Sequence, residues 1–251
     1  MSSVLSALWV VGVLTTTAFG WTGIPDLQRT TCSSSRSPSH DDSLAFDFSS
    51  SSAWEDFYRE TDDATVTEWH SSVSFSAIAS YCTNAASILL VGCGDSRLPD
   101  YFLQQTSPPP RLTLLDSSPT CIERLQRRYS QYPTITCVCG DVMDAVSLLK
   151  HDQQASPCVI LDKGLLDALL CNDGWDTAVT QWFGQAAQVL SQGGKYVLVS
   201  YVLPKSTQAF LQALRDDWAW EFGVDRASSS NARVMVSAAV VKGRGALPSK
   251  I

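Results

Sequence analysis

Residues 88–96 read ILLVGCGDS, and this stretch decides the fold. Four consecutive apolar residues are typical of a strand that is buried on both faces of a sheet, and the Gly-Cys-Gly turn ends that strand. Ser96 and Pro99 suit the N-cap and the first turn of a helix, which we predict over residues 98–105. The segment therefore predicts a strand, a tight turn and a helix, which is the repeating unit of a parallel α/β sheet.

The same alternation continues on both sides of this segment. Further strands are predicted at residues 112–115, 134–139, 159–161 and 196–202, and helices at 53–58, 72–82, 119–129, 175–190 and 206–215. The last two predicted strands, 218–224 and 233–242, have no helix between them, which indicates an antiparallel hairpin at one edge. The pattern predicts an α/β fold with a Rossmann-like, doubly wound, seven-stranded sheet that is mostly parallel.

Glycines and acidic residues follow the first four strands. Asp116 comes 22 residues after Gly94, the spacing at which a carboxylate binds ribose hydroxyls in a dinucleotide fold, and Asp141 and Asp162 follow the next two strands. Arg97 stands where a pyrophosphate-binding motif has its third glycine, so NAD fits less well than a nucleoside cofactor without a pyrophosphate. S-adenosylmethionine (SAM) is such a cofactor, and its sulfonium charge suits an acidic site.

Four segments resemble the class I SAM-dependent methyltransferases. They read ILLVGCGDS at 88–96, LLDSS at 114–118, GDV at 140–142 and VILDKGLLDALL at 159–170. The last one is similar to the seven-β-strand protein lysine methyltransferases, a branch that includes enzymes acting on elongation factor 1A and on citrate synthase. The resemblance covers residues 53–242. It implies a methyltransferase domain at 53–251 that transfers methyl from SAM to a lysine side chain of a protein.

The resemblance also implies how SAM is held. Gly92 and Gly94 would pass under its methionine part. Asp116 would accept hydrogen bonds from both ribose hydroxyls, with Ser117 beside it. Asp141 would accept a hydrogen bond from the adenine amino group.

The remaining implied roles concern the adenine ring, the mouth of the site and its cover. The backbone N–H of Val142 would meet the adenine ring. Asp162 and Lys163 would lie at the mouth near the methyl group, and Asp162 is the candidate catalytic residue that orients the acceptor amine. Three aromatic residues would close the cofactor from above: Trp54, Tyr58 and Trp69.

Simpler interpretations of the same residues stay open. Asp116 and Asp162 would also suit helix N-caps, and Asp141 would suit a turn. Trp54 and Tyr58 lie four residues apart on a predicted helix, a spacing that equally favours core packing.

Three positions depart from the pattern of the resembling branch: Thr67, Asp95 and Leu165. These differences leave two other functions open, a SAM-fold protein that binds without catalysing and a methyltransferase that acts on a small molecule. Asp167 is expected to be structural. No group near Cys93 would activate its thiol, so no nucleophile is expected there.

Composition excludes several classes of protein. The chain has 251 residues, 45% of them hydrophobic, which is enough for a sizeable core. With 18 Lys and Arg against 25 Asp and Glu, the net charge of -7 argues against broad nucleic-acid binding. The three histidines and eight cysteines lack the spacing of zinc ligands, so no metal is expected. We expect a protein substrate, no stable membrane span in the mature form, and a monomer.

The first fifty residues read as targeting and linker sequence. Residues 1–20 contain an apolar run of signal-peptide length at 4–14, and residues 21–52 are a Ser-rich linker or transit segment without periodicity. The TAFG at 17–20 resembles the Ala-Phe cleavage motif of proteins imported into complex plastids of algae. Most of the eight cysteines are expected to be reduced core thiols. We therefore predict an organellar, plastid location, with the cytoplasm and the mitochondrion as alternatives.

Overall fold

The computed structural model describes residues 46–150, 156–223 and 234–241. The predicted targeting segment (1–20) and most of the predicted linker (21–45) lie outside the described residues. The end of that linker, residues 46–52, packs with the predicted domain. Phe46 and Phe48 contact Trp54 edge to face, with ring centroids 4.9 and 5.9 Å apart. These contacts bury aromatic surface of residues that the sequence analysis placed in the Ser-rich linker.

Seven strands of the described chain form one sheet. They are β1 (Ser87–Val91), β2 (Arg111–Asp116), β3 (Ile135–Cys139), β4 (Val159–Lys163), β5 (Lys195–Tyr201), β6 (Trp218–Glu221) and β7 (Val234–Val241). Their order across the sheet is β3-β2-β1-β4-β5-β7-β6. Strands β1 to β5 pair in parallel, and β7 is antiparallel to both of its neighbours. The predicted fold class is confirmed, and β7 is the inner strand of the edge hairpin.

Helices connect these strands. They are α1 (Ser51–Glu60), α2 (Phe75–Ala79), α3 (Leu98–Gln105), α4 (Pro119–Tyr129), α5 (Ala145–Lys150), α6 (Leu165–Leu170), α7 (Trp175–Val189) and α8 (Lys205–Leu214), with 3₁₀ turns at Ser80–Cys82 and Val142–Asp144. The sequence patterns did not predict α5 and α6, because six residues are too few for a helical period to show. None of the helices in the described part of the chain is long and apolar enough to cross a bilayer.

The sheet is covered on both faces. Along β1, Leu89 and Val91 belong to one buried cluster, whereas Ile88 and Leu90 belong to the other. Successive side chains of a strand point to opposite faces, so a strand between two apolar layers needs apolar residues at every position. This arrangement explains why the apolar run at residues 88–91 is uninterrupted.

The strand order also fixes where a ligand can bind. After β1 the chain crosses to β2 and then β3 on one side, and it returns to β4 and β5 on the other side. The helices that leave neighbouring strands β1 and β4 therefore diverge, which opens a crevice beyond the carboxyl ends of these strands. All acidic residues predicted for the site follow strands at this edge.

Candidate active site

The glycine turn after β1 lines a pocket at the carboxyl edge of the sheet. Gly92 and Gly94 have φ angles of +51° and +52°, in the left-handed region that favours glycine. A Cβ added at Gly94 would lie 2.7 Å from the hydroxyl oxygen of Tyr58. Glycine is therefore required here both by backbone conformation and by the close approach of a neighbouring ring.

Asp116 ends β2 and lies beside this turn. Its Oδ2 accepts a hydrogen bond from the backbone N–H of Gly94 over 2.9 Å, and its Oδ1 accepts one from the N–H of Ser118 over 3.0 Å. Burial raises the pKa of the Asp116 carboxyl, while the backbone donors oppose that shift. Because a carboxylate has about four acceptor positions, Asp116 retains capacity for ligand hydroxyls.

The turn after β3 continues the pocket wall. The N–H of Gly140 donates to the carbonyl oxygen of Asp116 over 2.9 Å and joins the two strand ends. Asp141 is exposed, and its Oδ1 accepts a hydrogen bond from the N–H of Met143 over 2.9 Å. The turn role considered for Asp141 is thus present, and its contact with adenine stays a prediction. Val142, the next residue, is buried against the pocket.

An aromatic cluster covers the pocket from the N-terminal side. Trp54 and Trp69 meet edge to face with ring centroids 5.4 Å apart, and Trp54 stacks on Tyr58 at 6.5 Å. The indole N–H of Trp54 donates to the carbonyl oxygen of Phe48 over 3.0 Å. The predicted cover is therefore a packed unit, and Phe48 belongs to it although the sequence analysis placed that residue in the linker.

Glu55 fastens α1 to the domain. Its carboxylate accepts hydrogen bonds from the hydroxyls of Ser118 and Thr120, each over 2.6 Å, and from the N–H of Thr120 over 3.2 Å. The donors lie at the start of α4, directly after Asp116. The helix that carries Trp54 and Tyr58 is thereby tied to the same strand end that carries the predicted ribose ligand.

Lys163 and Glu68 hold the second part of the cover. The Nζ of Lys163 lies 2.6 Å from Oε1 of Glu68 and donates to the carbonyl oxygen of Trp69 over 2.9 Å. Glu68 also accepts a hydrogen bond from the hydroxyl of Ser96 over 2.8 Å. Lys163 lines the pocket as predicted, and its charged tip is engaged in holding the Trp69 segment in place.

Asp162 requires a correction, because the structure places it outside the pocket lining. The residue is fully buried, and its carboxylate accepts hydrogen bonds from the N–H of Leu165 over 2.9 Å and from the hydroxyl of Tyr196 over 2.7 Å. Side chains alternate along a strand, so Lys163 faces the pocket while Asp162 faces the core. Asp162 therefore caps the start of α6, which is the alternative considered for it, and its buried side chain is not among those that line the pocket.

The remaining predicted residues come together in one pocket. It is lined by ten of them: Trp54, Tyr58, Trp69, Gly92, Gly94, Asp116, Ser117, Asp141, Val142 and Lys163. Sequence reasoning missed His70 and gave Asp167 a structural role, yet both line the pocket, with His70 Nε2 2.8 Å from Asp167 Oδ2. The sequence signal that could have pointed to Asp167 is its place in the family-specific segment 159–170.

One cysteine, Cys93, lies in the glycine turn that lines the pocket. Burial raises the pKa of the Cys93 thiol well above its ordinary range, as expected for an inert cysteine. Among the described residues, six cysteines are free: Cys82, Cys93, Cys121, Cys137, Cys139 and Cys158. Cys171 is disulfide-bonded. No group of His, Cys, Asp and Glu in the described ranges is arranged to hold a metal ion.

Comparison with known sequences finds similar proteins. No protein-family model matches the chain. It is 28% identical over 178 residues to EEF1A lysine methyltransferase 4 of Mus musculus, covering 66% of each protein. It is 28% identical over 160 residues to the eEF1A lysine and N-terminal methyltransferase homolog of Drosophila pseudoobscura pseudoobscura, covering 61% of this chain and 22% of that protein. The match thus spans 66% or less of either relative's length.

Comparison with solved structures finds the same fold. The N-methyltransferase NodS from Bradyrhizobium japonicum WM9, in complex with S-adenosyl-L-homocysteine, superposes with a TM-score of 0.55 at 14% identity and covers 76% of this chain and 98% of that one. TrmK of M. capricolum, in complex with S-adenosyl-homocysteine, gives a TM-score of 0.51 at 11% identity, with 68% and 70% covered. At these identities the likeness concerns the fold.

Proposed function

We propose that this chain, a class I methyltransferase by its fold and by its similarity to the elongation-factor-1A lysine methyltransferases, transfers methyl from SAM to a lysine side chain of a protein. One observation carries the proposal. Asp116 stands at the end of β2, with its carboxylate bonded to the N–H of Gly94 over 2.9 Å, beneath a cover of aromatic rings. A ribose acceptor, a glycine turn and a cover in one pocket are what a nucleoside cofactor requires.

The pocket residues fit SAM. The left-handed turn at Gly92 and Gly94 lines the pocket with backbone that carries no side chain, which suits the methionine part of the cofactor. Asp116, with Ser117 beside it, would accept hydrogen bonds from the ribose hydroxyls, and Asp141 with Val142 would bind the adenine.

The chain's own contribution to the reaction is positioning and exclusion of water. When bound, SAM supplies a methyl group on a positively charged sulfur. The aromatic cover, fixed by Glu55 and Lys163, shields the pocket from solvent and holds the reactants in one orientation. In-line displacement gains most from orientation and desolvation. The displacement requires no covalent bond between the methyl group and an acid or base of the described pocket.

The substrate proposal comes from the relatives. The similar proteins from Mus musculus and Drosophila pseudoobscura pseudoobscura are both named as lysine methyltransferases of eEF1A. We therefore take elongation factor 1A as the first protein to test as the acceptor.

Cofactor binding is tested by replacing Asp116. We expect wild-type protein to bind S-adenosylhomocysteine in calorimetry, and Asp116→Asn to weaken binding about 10- to 100-fold, since a hydrogen bond to a charged group contributes about 1.5–3 kcal/mol. The matched control is Asp144→Asn, an exposed acid next to the β3 turn that does not line the pocket. Absence of binding by wild-type protein at high micromolar ligand would contradict the proposal.

Activity is tested with labelled SAM. Incubation with purified elongation factor 1A, followed by mass spectrometry, is expected to give a methylated lysine with wild-type protein and none with Asp116→Asn. A labelled cell lysate extends the search to other proteins. Cofactor binding without transfer to any protein would favour a SAM-fold protein that binds without catalysing. Label on a small molecule would favour a methyltransferase that acts on small molecules.

We also propose an organellar location, in a plastid of an alga with complex plastids. The apolar run at 4–14, the TAFG at 17–20 and the Ser-rich stretch that follows support it. Six free cysteines suit a reducing compartment, whereas the disulfide of Cys171 counts against one. Imaging of a full-length fusion tests the proposal: overlap with plastids supports it, and diffuse cytoplasmic or mitochondrial signal overturns it.

We propose further that the protein acts as a monomer. The ten predicted residues that line the pocket all come from one chain, so no second copy is needed to complete the site. Light scattering coupled to gel filtration measures the mass, and a stable dimer would contradict this proposal.

A further inference from the structure

The pocket contains a carboxylate at the end that lies beyond β4 and β5. Asp167, in α6, lines this end beside apolar side chains, among them Leu165, Leu169, Trp175 and Leu203, and beside the polar side chains of His70, Asn172 and Thr207. Of the described residues that line this side, Asp167 is the only acidic one, and Lys163 is paired with Glu68 over 2.6 Å. An apolar wall with one carboxylate matches a ligand that has an aliphatic stem and a cationic tip.

The Asp167 carboxylate is fixed from two directions. Its Oδ2 lies 2.8 Å from Nε2 of His70, and its Oδ1 accepts a hydrogen bond from the N–H of Tyr201 over 3.3 Å. The His70 ring is itself held edge to face against Tyr201, with centroids 4.8 Å apart. The His70 side chain is 3% exposed and that of Asp167 18%. The carboxylate thus has a fixed orientation and still reaches the pocket.

This end of the pocket lies on the acceptor side. Neighbouring strands are about 4.8 Å apart, so the end of β4 lies about 10 Å from the end of β2 in the order β2-β1-β4-β5. With the ribose at Asp116 on β2 and the adenine at Asp141 after β3, the methionine part of the cofactor would lie toward β1 and β4. A group that enters beyond β4 and β5 therefore approaches the side where Asp167 lies.

We propose that Asp167 determines specificity for a cationic acceptor by binding the ammonium tip of an unbranched alkylamine side chain, and that His70 positions its carboxylate. The inference rests on the proposed function, because it concerns the acceptor half of the same pocket. A neighbouring carboxylate favours the charged form of an amine, so Asp167 contributes to acceptor binding and not to the transfer step. Its loss is expected to raise KM for the protein substrate while kcat is kept.

The experiment uses a probe that does not depend on turnover. n-Butylammonium has the shape of a lysine side chain, and n-butanol is its uncharged analogue. Both are titrated by NMR into the full chain, with and without saturating S-adenosylhomocysteine. Wild-type protein is expected to bind butylammonium about 10- to 100-fold more tightly than butanol, as for a hydrogen bond to a charged group.

Three variants assign that preference. Asp167→Asn is expected to bind both probes equally, while Asp173→Asn, an exposed acid of the next loop, keeps the preference. His70→Asn, whose new side chain tolerates the φ of +55° at this position, is expected to reduce the preference without weakening butanol binding. If His70 served only apolar packing, its replacement would weaken the binding of both probes. The comparison of the two probes therefore separates a positioning role of His70 from a structural one.

The outcomes are distinct. Equal affinity of wild-type protein for the two probes overturns the inference, even if Asp167→Asn does not fold. A preference that survives in Asp167→Asn, with a lowered melting temperature, assigns Asp167 to stability alone and also overturns it. Failure of S-adenosylhomocysteine to bind, with the butylammonium preference intact, refutes the proposed function and leaves a cation site.

Discussion

Asp162 and Lys163 are neighbours in sequence, yet they serve opposite sides of the sheet. Lys163 faces the pocket and holds the cover, whereas Asp162 is buried and bonded to Tyr196 and to the start of α6. Burial raises the pKa of Asp162 to about 7, because the charged form loses its hydration. A raised pKa is typical of catalytic acids, but the Asp162 carboxylate lies against Tyr196 and the start of α6, where it stabilises the fold.

This shift predicts a pH dependence of folding. Between about pH 4 and pH 7 the folded state keeps the Asp162 proton that the unfolded state releases, so stability falls as pH rises through this window. From pH 5 to pH 8 the loss is about 3 kcal/mol, from a shift between 3.8 and about 7.

Urea unfolding at the two pH values measures the loss. Asp162→Asn cannot release a proton, so the variant should lack this part of the dependence, while other groups contribute equally to both proteins. An identical pH dependence in the two proteins would show that Asp162 titrates normally.

At the scale of elements, the site depends on how the turn after β1 meets α1. The turn approaches the Tyr58 ring so closely that a Cβ at Gly94 would lie 2.7 Å from its hydroxyl oxygen. Tyr58 and Trp54 lie on the same helix. A side chain added to the turn at Gly94 would therefore displace the helix that carries the aromatic cover. The strand-turn-helix unit and the cover therefore form one functional element.

Gly94→Ala tests this contact against a matched control, Gly193→Ala. Both glycines have positive φ, +52° and +72°, so each substitution is expected to cost about 1–2 kcal/mol of stability. No atom lies within 4 Å of a Cβ at Gly193. Only Gly94→Ala should therefore also weaken S-adenosylhomocysteine binding, by more than tenfold in calorimetry. Equal affinities for the two variants would mean that the close approach at Tyr58 does not matter for the cofactor.

At the scale of the whole molecule, the N-terminal residues 46–70 are attached to the sheet by a few polar contacts. Glu55 reaches Ser118 and Thr120 after β2, and Glu68 reaches Ser96 after β1 and Lys163 at the end of β4. These contacts join the cover to three adjacent strand ends. The cover and the Rossmann-like sheet thus share one pocket, and the attachment of the cover lies beside the residues predicted to bind the cofactor.

Glu55→Ala is expected to loosen this attachment. Loss of the three hydrogen bonds that its carboxylate accepts from Ser118 and Thr120 should lower the affinity for S-adenosylhomocysteine about tenfold, about 1.4 kcal/mol, while the sheet stays folded. Hydrogen exchange should speed up in Ser51–Glu60 and stay unchanged in β1 and β4. Glu60→Ala, an exposed acid on the same helix, is the control. Faster exchange throughout the sheet would contradict a local role.

The strands of the sheet, the glycine turn and the position of Asp116 at the end of its strand can be read from the sequence alone. Short apolar runs specify buried strands, only glycine adopts the left-handed turn easily, and Asp116 follows directly from its strand. Each of these signals lies within about ten residues, so it could be read without knowing the rest of the chain. The cofactor half of the site could therefore be predicted.

The contacts at the Asp167 end of the pocket follow only from the tertiary structure. His70 and Asp167 are 97 residues apart, and Glu55 and Ser118 are 63 apart, and no local pattern pairs them. The face of the sheet to which Asp162 points could not be read from a local pattern either. A shift of one residue in the strand register moves every side chain of the strand to the opposite face. These contacts depend on which strands become neighbours in the folded sheet, and the long-range packing of the whole chain sets that order.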